Sequence, residues 1–198
     1  ALAFDYEIMS WLSGSTGAKH IYKKQTREIP KLREYEVEQG FTLRPHKDLF
    51  VNLSAMHGER RGNGMDLEHY PRTTSSVSGR EYFTEHPGLR RIDVADRNRN
   101  QGRVQVQWTP GEASLGASAR VTDDRYRLGK GDPTGGQAFV YPDLYGTKSE
   151  QAQAFGIDFS VPVLGDFVVD GFYEYDYTKR YVNSSQTICA GATNVWAS

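Results

Sequence analysis

The chain is poor in the residue types on which a soluble core or a covalently braced scaffold depends. Its 198 residues include a single cysteine, Cys189, and only 37% of them are hydrophobic, whereas soluble globular domains are usually about 45–50% apolar. One cysteine excludes an internal disulfide and a thiolate metal cluster built from this chain alone. The net charge of −1 gives no reason to expect nucleic acid as a partner.

Long hydrophobic runs are missing as well. A membrane-spanning helix needs about 20 consecutive, mainly apolar residues, and segments such as Phe167-Val168-Val169 are far shorter. The first residues, Ala1-Leu2-Ala3, carry neither the basic region nor the apolar segment of a secretory signal. We therefore expect either a mature form or an internal piece of a longer chain.

Motifs of catalysis and cofactor binding are also missing. The sequence has no Cys-x-x-Cys-His haem-attachment motif, no Walker loop, no Gly-x-Ser-x-Gly elbow and no His-Glu-x-x-His. The glycine-rich segment 129–136 opens no predicted helix, so it does not resemble a phosphate cradle. The histidines are scattered without metal-ligand spacing, at His20, His46, His57, His69 and His86. We predict no catalytic residue, no metal site and no cofactor bound by this chain, and hence no enzyme.

Aromatic residues are plentiful, at 12% of the chain, which is unlike a disordered protein. The apolar residues recur with a period of two: Val104, Val106 and Trp108 alternate with arginine and glutamine between positions 103 and 108. The segments 35–44, 154–161 and 167–178 show the same alternation. This pattern indicates β-strands with one apolar and one polar face.

The alternation predicts seven strands. They cover residues 4–12, 34–44, 49–59, 102–109, 113–126, 151–162 and 167–181. Strands of soluble proteins are usually about five or six residues long, whereas a tilted membrane strand needs about 9–11 residues. The tail, residues 187–198, does not look like an eighth strand. Because bacterial barrels close with an even number of at least eight strands, we expect this chain to be part of a larger barrel.

Short and long connections alternate between the predicted strands. Tight turns are predicted at 45–48, 110–112 and 162–166, where proline, glycine and aspartate favour chain reversal. Long polar connections are predicted at 13–33, 60–101 and 127–150. Outer-membrane barrels combine short periplasmic turns with longer external loops. The predicted fold is therefore an antiparallel transmembrane β-barrel of the bacterial outer membrane, with residues 1–198 forming part of its single domain.

The same alternation assigns the two faces of the barrel wall. Lipid should contact Val104, Val106, Leu115, Ala117, Phe155, Ile157, Phe159, Val169 and Tyr173. The lumen should be lined by Gln105, Gln107, Ser118, Arg120, Asp158, Asp170 and Glu174. Aromatic residues prefer the two membrane interfaces, which places Trp108 near the periplasmic turns and the tyrosines of 173–181 toward the opposite side.

The segment from His86 to Arg99, followed by a strand that ends at Trp108, resembles the MtrB/PioB family of large outer-membrane barrels associated with decahaem cytochromes. The similarity extends over about residues 86–182 and is looser before that. The matching positions are Leu89, Arg90, Asp93, Ala95, Asp96, Arg97, Trp108, Pro110, Asp123, Asp124, Tyr126 and the run 172–177. Family barrels are several times longer, and Arg91 and Ile92 stand where lysine and phenylalanine are typical.

The resemblance implies a barrel that surrounds a multihaem c-type cytochrome and lets electrons cross the outer membrane. Haem would then be carried by the partner and not by this chain. The candidate contact is the arginine-rich segment, with Arg90, Arg91, Asp93, Asp96, Arg97 and Arg99. Guanidinium groups bind carboxylates such as haem propionates in a bidentate manner, and the two aspartates would hold the arginines in place.

Other interpretations remain open from the sequence. The arginine-rich segment can also be read as a solvated rim loop, whose exposed ion pairs contribute little. The strand pattern equally suits a general porin or a transporter barrel with a water-filled lumen. A soluble β-sandwich that acts as a binding module is the third possibility.

Overall fold

The protein is described by a computed structural model in which every regular element is a β-strand. It describes residues 1–24, 31–62, 72–74, 76, 79, 81–83, 92–93, 95–127, 146–164, 167–183, 186–190 and 193–197. None of the described residues forms a helix long and apolar enough to cross a membrane. The predicted all-β class is confirmed.

The described residues form twelve strands, and eight of these make one antiparallel sheet. In chain order the strands are β1 (Leu2–Met9), β2 (Leu12–Lys24), β3 (Lys31–His46), β4 (Leu49–Gly62), β5 (Arg72–Thr74), β6 (Glu81–Phe83), β7 (Asp96–Trp108), β8 (Ser114–Arg127), β9 (Gly146–Leu164), β10 (Phe167–Asn183), β11 (Gln186–Ala190) and β12 (Thr193–Ala197). The large sheet has the order β1-β2-β3-β4-β7-β8-β9-β10, while β5-β6 and β11-β12 form separate pairs. Successive strands of the large sheet are therefore neighbours, as in an up-and-down barrel wall, and β1 and β10 are its two edges.

The predicted polar connection at 13–33 is wrong, because most of it forms β2 and the start of β3. In the middle of β2 the positions on the apolar face are small, namely Gly14, Thr16 and Ala18, so the hydrophobic alternation is weak there. Backbone pairing with β1 on one side and β3 on the other holds the strand in the sheet. This strand supplies the eighth member of the sheet, and the predicted strand at 4–12 ends earlier, at Met9.

Several strands extend beyond their predicted ends. β7 begins at Asp96 and β9 at Gly146, within segments that were predicted as the loops 60–101 and 127–150. β4 and β8 continue to Gly62 and Arg127. Both faces of the sheet are polar in these extensions. The alternation of apolar and polar residues is therefore absent there, although the strands continue to pair through their backbones. The tail, predicted not to supply an eighth barrel strand, forms the separate antiparallel pair β11-β12 outside the large sheet.

The two ends of the sheet differ in the length of their connections. The turn end has the short connections at 10–11, 47–48 and 109–113, and the fourth, between β9 and β10, falls at 165–166, outside the described residues. Neighbouring turns are joined by backbone bonds from Thr109 N to Asp48 O (2.8 Å) and from Arg44 N to Trp11 O (2.7 Å). The opposite end, here called the loop end, has the longer connections after β4 and β8. The predicted alternation of short and long connections is confirmed for this part of the chain.

Strand register continues each face across the sheet. Val104 lies opposite Leu53 of β4 and Ala119 of β8, and Ala119 lies opposite Phe155 of β9. The nine predicted lipid-facing residues all share this apolar face: Val104, Val106, Leu115, Ala117, Phe155, Ile157, Phe159, Val169 and Tyr173. The seven predicted lumen-facing residues share the opposite, polar face: Gln105, Gln107, Ser118, Arg120, Asp158, Asp170 and Glu174. The predicted separation of the two sets is confirmed.

The apolar face is not covered by any other described element. Phe155 and Ile157 are 46% and 44% exposed, and the only buried hydrophobic residues among those described are Leu32, Ala95 and Tyr126. A soluble β-sandwich would bury this face against a second sheet about 10 Å away. Lipid contact explains an exposed apolar face that spans eight strands.

Candidate functional site

The densest packing of the described residues lies on the polar face near the loop end, where charged side chains are buried. We call this group the arginine cluster, and it consists of Glu34, Arg60, Arg97, Arg99, Asp124 and Tyr126. Its members lie on four adjacent strands, β3, β4, β7 and β8, in two neighbouring rows of the sheet. Alternation places all of them on one face because each pair within a strand is two residues apart.

Asp124 is the centre of the arginine cluster. It is 2% exposed, and Arg99 lies directly opposite it on β7. Arg99 donates from Nε to Oδ1 (2.8 Å) and from Nη2 to Oδ2 (2.7 Å), while the Tyr126 hydroxyl donates to Oδ2 (3.3 Å). This bidentate geometry is the strong form of an arginine–carboxylate pair, so the charge of Arg99 is neutralised within the wall.

Arg97 is neutralised from two sides. Its Nη2 donates to Glu34 Oε1, across β4 from β7, and its Nη1 lies 3.9 Å from Asp124 Oδ2. The Arg97 side chain is only 13% exposed. Burying a charge in this way requires a paired and hydrogen-bonded partner, and both acids meet that requirement.

Arg60 binds backbone carbonyls rather than a carboxylate. Its Nε donates to Ala95 O (3.0 Å) and its Nη2 to Ile92 O (2.6 Å). Because Arg60 projects from the polar face, these bonds hold Ile92 and Ala95 on that side of the wall. A further bond, from Gly62 N to Asp96 Oδ1 (2.6 Å), joins the end of β4 to the first residue of β7. The cluster therefore fixes the chain where the long connection rejoins the sheet.

A row of ion pairs continues from the cluster across the polar face. Register aligns Lys19, Glu36, Gly58, Arg99, Asp124, Glu150 and Arg180 from β2 to β10. Lys19 Nζ lies 3.4 Å from Glu36 Oε2, and Arg180 Nε donates to Glu150 Oε2 (2.6 Å). Charges of opposite sign directly opposite each other stabilise neighbouring strands.

The predicted partner-binding residues fall into three groups according to where they lie in the structure. Arg90 and Arg91 lie outside the described residues. Asp93 lies in a turn before β7, where it makes an interaction with its surroundings. The remaining three, Asp96, Arg97 and Arg99, belong to β7 rather than to a loop.

The acids that bind Arg97 and Arg99 come from neighbouring strands. They are Glu34 and Asp124, whereas Asp96 accepts from Gly62 N. Sequence reasoning missed Glu34 and Arg60. A signal for Asp124 was present, since the matched positions Asp124 and Tyr126 face Arg99 and Arg97 across β7 and β8.

The arginine cluster stabilises the sheet and contains no group that is free to react with a substrate. Among the described residues, no three histidine, cysteine, aspartate or glutamate side chains are grouped as a metal site requires. Each carboxylate of the cluster is engaged by an arginine. The arrangement can therefore fix the residues before β7 and the register of β7 with its neighbouring strands. It presents little unneutralised charge to a ligand.

Comparison with known proteins agrees with this architecture. The family model described as "Putative outer membrane beta-barrel porin, MtrB/PioB" matches residues 1–196. No curated protein was found to match the chain. Porins are non-enzymatic barrels of the outer membrane, so the predicted location and the prediction that the chain is not an enzyme are confirmed, and the soluble sandwich is excluded. With nearly its whole length matched, the chain belongs to the MtrB/PioB family of outer membrane β-barrel porins.

Proposed function

We propose that this barrel surrounds a multihaem c-type cytochrome and lets electrons cross the outer membrane. The observation that carries the proposal is the charge of the polar face at the centre of the sheet. The polar face of β4, β7 and β8 holds five arginines and one acidic residue, namely Arg60, Arg97, Arg99, Arg103, Arg120 and Asp124. Arg97 and Arg99 are paired with Glu34 and Asp124, so the excess positive charge of these three strands comes from Arg60, Arg103 and Arg120. Haem propionates and acidic protein surfaces are anionic, so a basic lumen wall would attract them.

The open sheet supports a barrel that is wide enough for a protein occupant. The eight strands lie in a sheet whose edges, β1 and β10, do not pair with each other. An unpaired strand edge in lipid leaves backbone groups without hydrogen bonds, which is costly. We infer that further strands complete the barrel. A barrel of about eight strands is filled by its own side chains, whereas a larger one has room for a partner.

In this proposal the arginine-rich segment has two roles, anchoring of the chain and contact with the cytochrome. Arg97 and Arg99 hold the base of the segment through their ion pairs, and Arg60 holds Ile92 and Ala95 on the lumen side. Arg90 and Arg91 precede this anchored point, Asp93 lies within it, and all three would contact the cytochrome. In this orientation the short turns lie in the periplasm and the long connections outside.

The test compares haem retention between two double variants of the full-length barrel, each expressed with the multihaem cytochrome. Arg90→Ala with Arg91→Ala should lower the haem content of the purified complex and slow electron transfer across vesicles. The matched control, Arg33→Ala with Arg125→Ala, removes two arginines from the apolar face and should change neither. If haem content and transfer rate stay unchanged in the first variant, the segment is a solvated rim loop.

A solute porin predicts a different result for the wild-type barrel. It would purify without haem and conduct small solutes in planar bilayers. The absence of haem together with high conductance would overturn the cytochrome proposal and leave the membership of the porin family untouched.

A further inference from the structure

Two arginines of the polar face lie directly opposite each other, away from the arginine cluster. Arg103 of β7 pairs in register with Arg120 of β8. Both are exposed, and their other cross-strand neighbours are small, with Ser54 opposite Arg103 and Ala154 opposite Arg120. Nothing bulky therefore covers the two guanidinium groups on the lumen side.

The other arginines of this face provide an internal comparison. Within the described strands each of them has a partner: Arg44 lies over the Phe50 ring, Arg60 binds carbonyls, Arg97 and Arg99 bind acids, and Arg180 binds Glu150. Arg103 and Arg120 have no hydrogen bond, ion pair or ring contact to any described residue. Among the described arginines of this face, these two are therefore the ones whose guanidinium groups have no partner.

Placing like charges directly opposite each other destabilises a strand pair. The Cα atoms of such a pair lie about 4.5–5.5 Å apart, so both guanidinium groups can reach one anion. Each can donate two parallel hydrogen bonds to a carboxylate. An anion held between them removes the repulsion and occupies their donors.

We propose that Arg103 and Arg120 form a carboxylate-binding site on the lumen wall. The carboxylate has two possible sources, a side chain or propionate of the protein that occupies the lumen, or a free carboxylate solute that passes through it. The site itself stands on the arginine pair and does not require the cytochrome, so the two proposals can fail separately.

The test uses the full-length barrel in planar bilayers, with citrate as the probe. Citrate should reduce the potassium chloride conductance of the wild type. The half-blocking concentration should rise about tenfold, equivalent to about 1.4 kcal/mol, in Arg103→Gln with Arg120→Gln, because this double variant loses the charged bidentate donors of both side chains. Glutamine suits these positions because Gln101 and Gln105 occupy the same face of β7.

Two further variants guard against a general effect of charge or folding. Arg103→Lys with Arg120→Lys keeps both charges but loses the bidentate geometry, and it should shift the citrate response by an intermediate amount. Arg33→Gln with Arg125→Gln removes the same charge from the apolar face and should not shift it. An unchanged half-blocking concentration in the glutamine double variant would overturn the site.

The haem content of the same variants, expressed with the cytochrome, identifies the source of the carboxylate. A lower haem content in the glutamine double variant, together with the citrate shift, assigns the site to the protein occupant. A citrate shift with unchanged haem content assigns it to a solute. A wild-type barrel that carries no haem contradicts the proposed function, while the citrate titration still decides the arginine site.

Discussion

Strands β7 and β8 hold two cross-strand pairs on the same polar face, four residues apart, and these pairs behave differently. At the loop end Arg99 faces Asp124 and binds it through Nε and Nη2. Nearer the middle of the strands Arg103 faces Arg120, and both stay exposed. On the same strand and face, the residue opposite an arginine therefore determines its role. An arginine that faces an acid is neutralised within the wall, whereas one that faces another arginine keeps its charge exposed to the lumen.

The largest expected effect comes from removing the acid of the buried pair. Asp124→Ala leaves Arg97 and Arg99 without a shared carboxylate, and breaking a buried ion pair costs about 3–5 kcal/mol. The Arg99 side chain is 29% exposed, so water recovers part of its hydration, and we expect about 3 kcal/mol. The free energy of unfolding from vesicles in urea, measured on the full-length barrel, gives the value.

The matched control for Asp124→Ala lies on the same strand and face. Arg120→Gln removes an exposed charge with no described partner and should change the free energy of unfolding by no more than about 0.5 kcal/mol. Equal losses in the two variants would contradict the distinction between the two pairs.

A smaller effect is expected where the cluster holds the chain before β7. Arg60→Gln removes two hydrogen bonds from a charged donor to carbonyl groups, and it should cost about 2 kcal/mol. Residues 92–95 lose their anchor, so limited proteolysis between β4 and β7 should become faster. Arg61→Gln is the control, because Arg61 lies on the opposite face and binds the carbonyls of Arg60 and Arg97 within the sheet. If both variants are cleaved at the wild-type rate, Arg60 does not hold this segment.

The smallest expected effect is a gain in stability, and it tests the difference between the two cross-strand pairs most directly. Arg120→Glu places an acid opposite Arg103 and reproduces the pairing of Arg99 with Asp124. Opposite charges across strands contribute about 0.2–1 kcal/mol, so the urea midpoint should rise while the conductance block by citrate is lost. A lower midpoint would show that the like-charge pair imposes no strain on the wall.

Prediction from the sequence succeeded where one face of a strand meets lipid. In β9 and β10, Phe155, Ile157 and Tyr173 alternate with polar residues, and both strands and their faces were predicted. In the middle of β2 the positions on the apolar face are small, and at Gly14 the ring of Tyr6 from β1 occupies the space that a side chain would need. The neighbouring strand supplies the apolar surface there, and the alternation of β2 itself could not reveal it.

The candidate site was less predictable because alternation gives a face but not a register. The sequence places Arg97, Arg99, Asp124 and Glu34 on polar faces of their strands. Which of them meet depends on the register between β7 and β8. It also depends on how far the strands continue beyond the part of the sheet that has an apolar face. Tertiary pairing alone brings Glu34 to Arg97, 63 positions along the chain.

The ion pairs across β7 and β8 also bear on how faithfully the barrel assembles. A shift of one residue between antiparallel strands moves every side chain to the other face. For β7 such a slip would turn Arg103, near the middle of the strand, toward lipid, and arginine at the bilayer midplane costs roughly 2–4 kcal/mol. The pairs of Arg99 with Asp124 and of Arg97 with Glu34 exist in a single alignment. A misaligned hairpin would lose these bonds and expose Arg103 to hydrocarbon, so the ion pairs favour the native register.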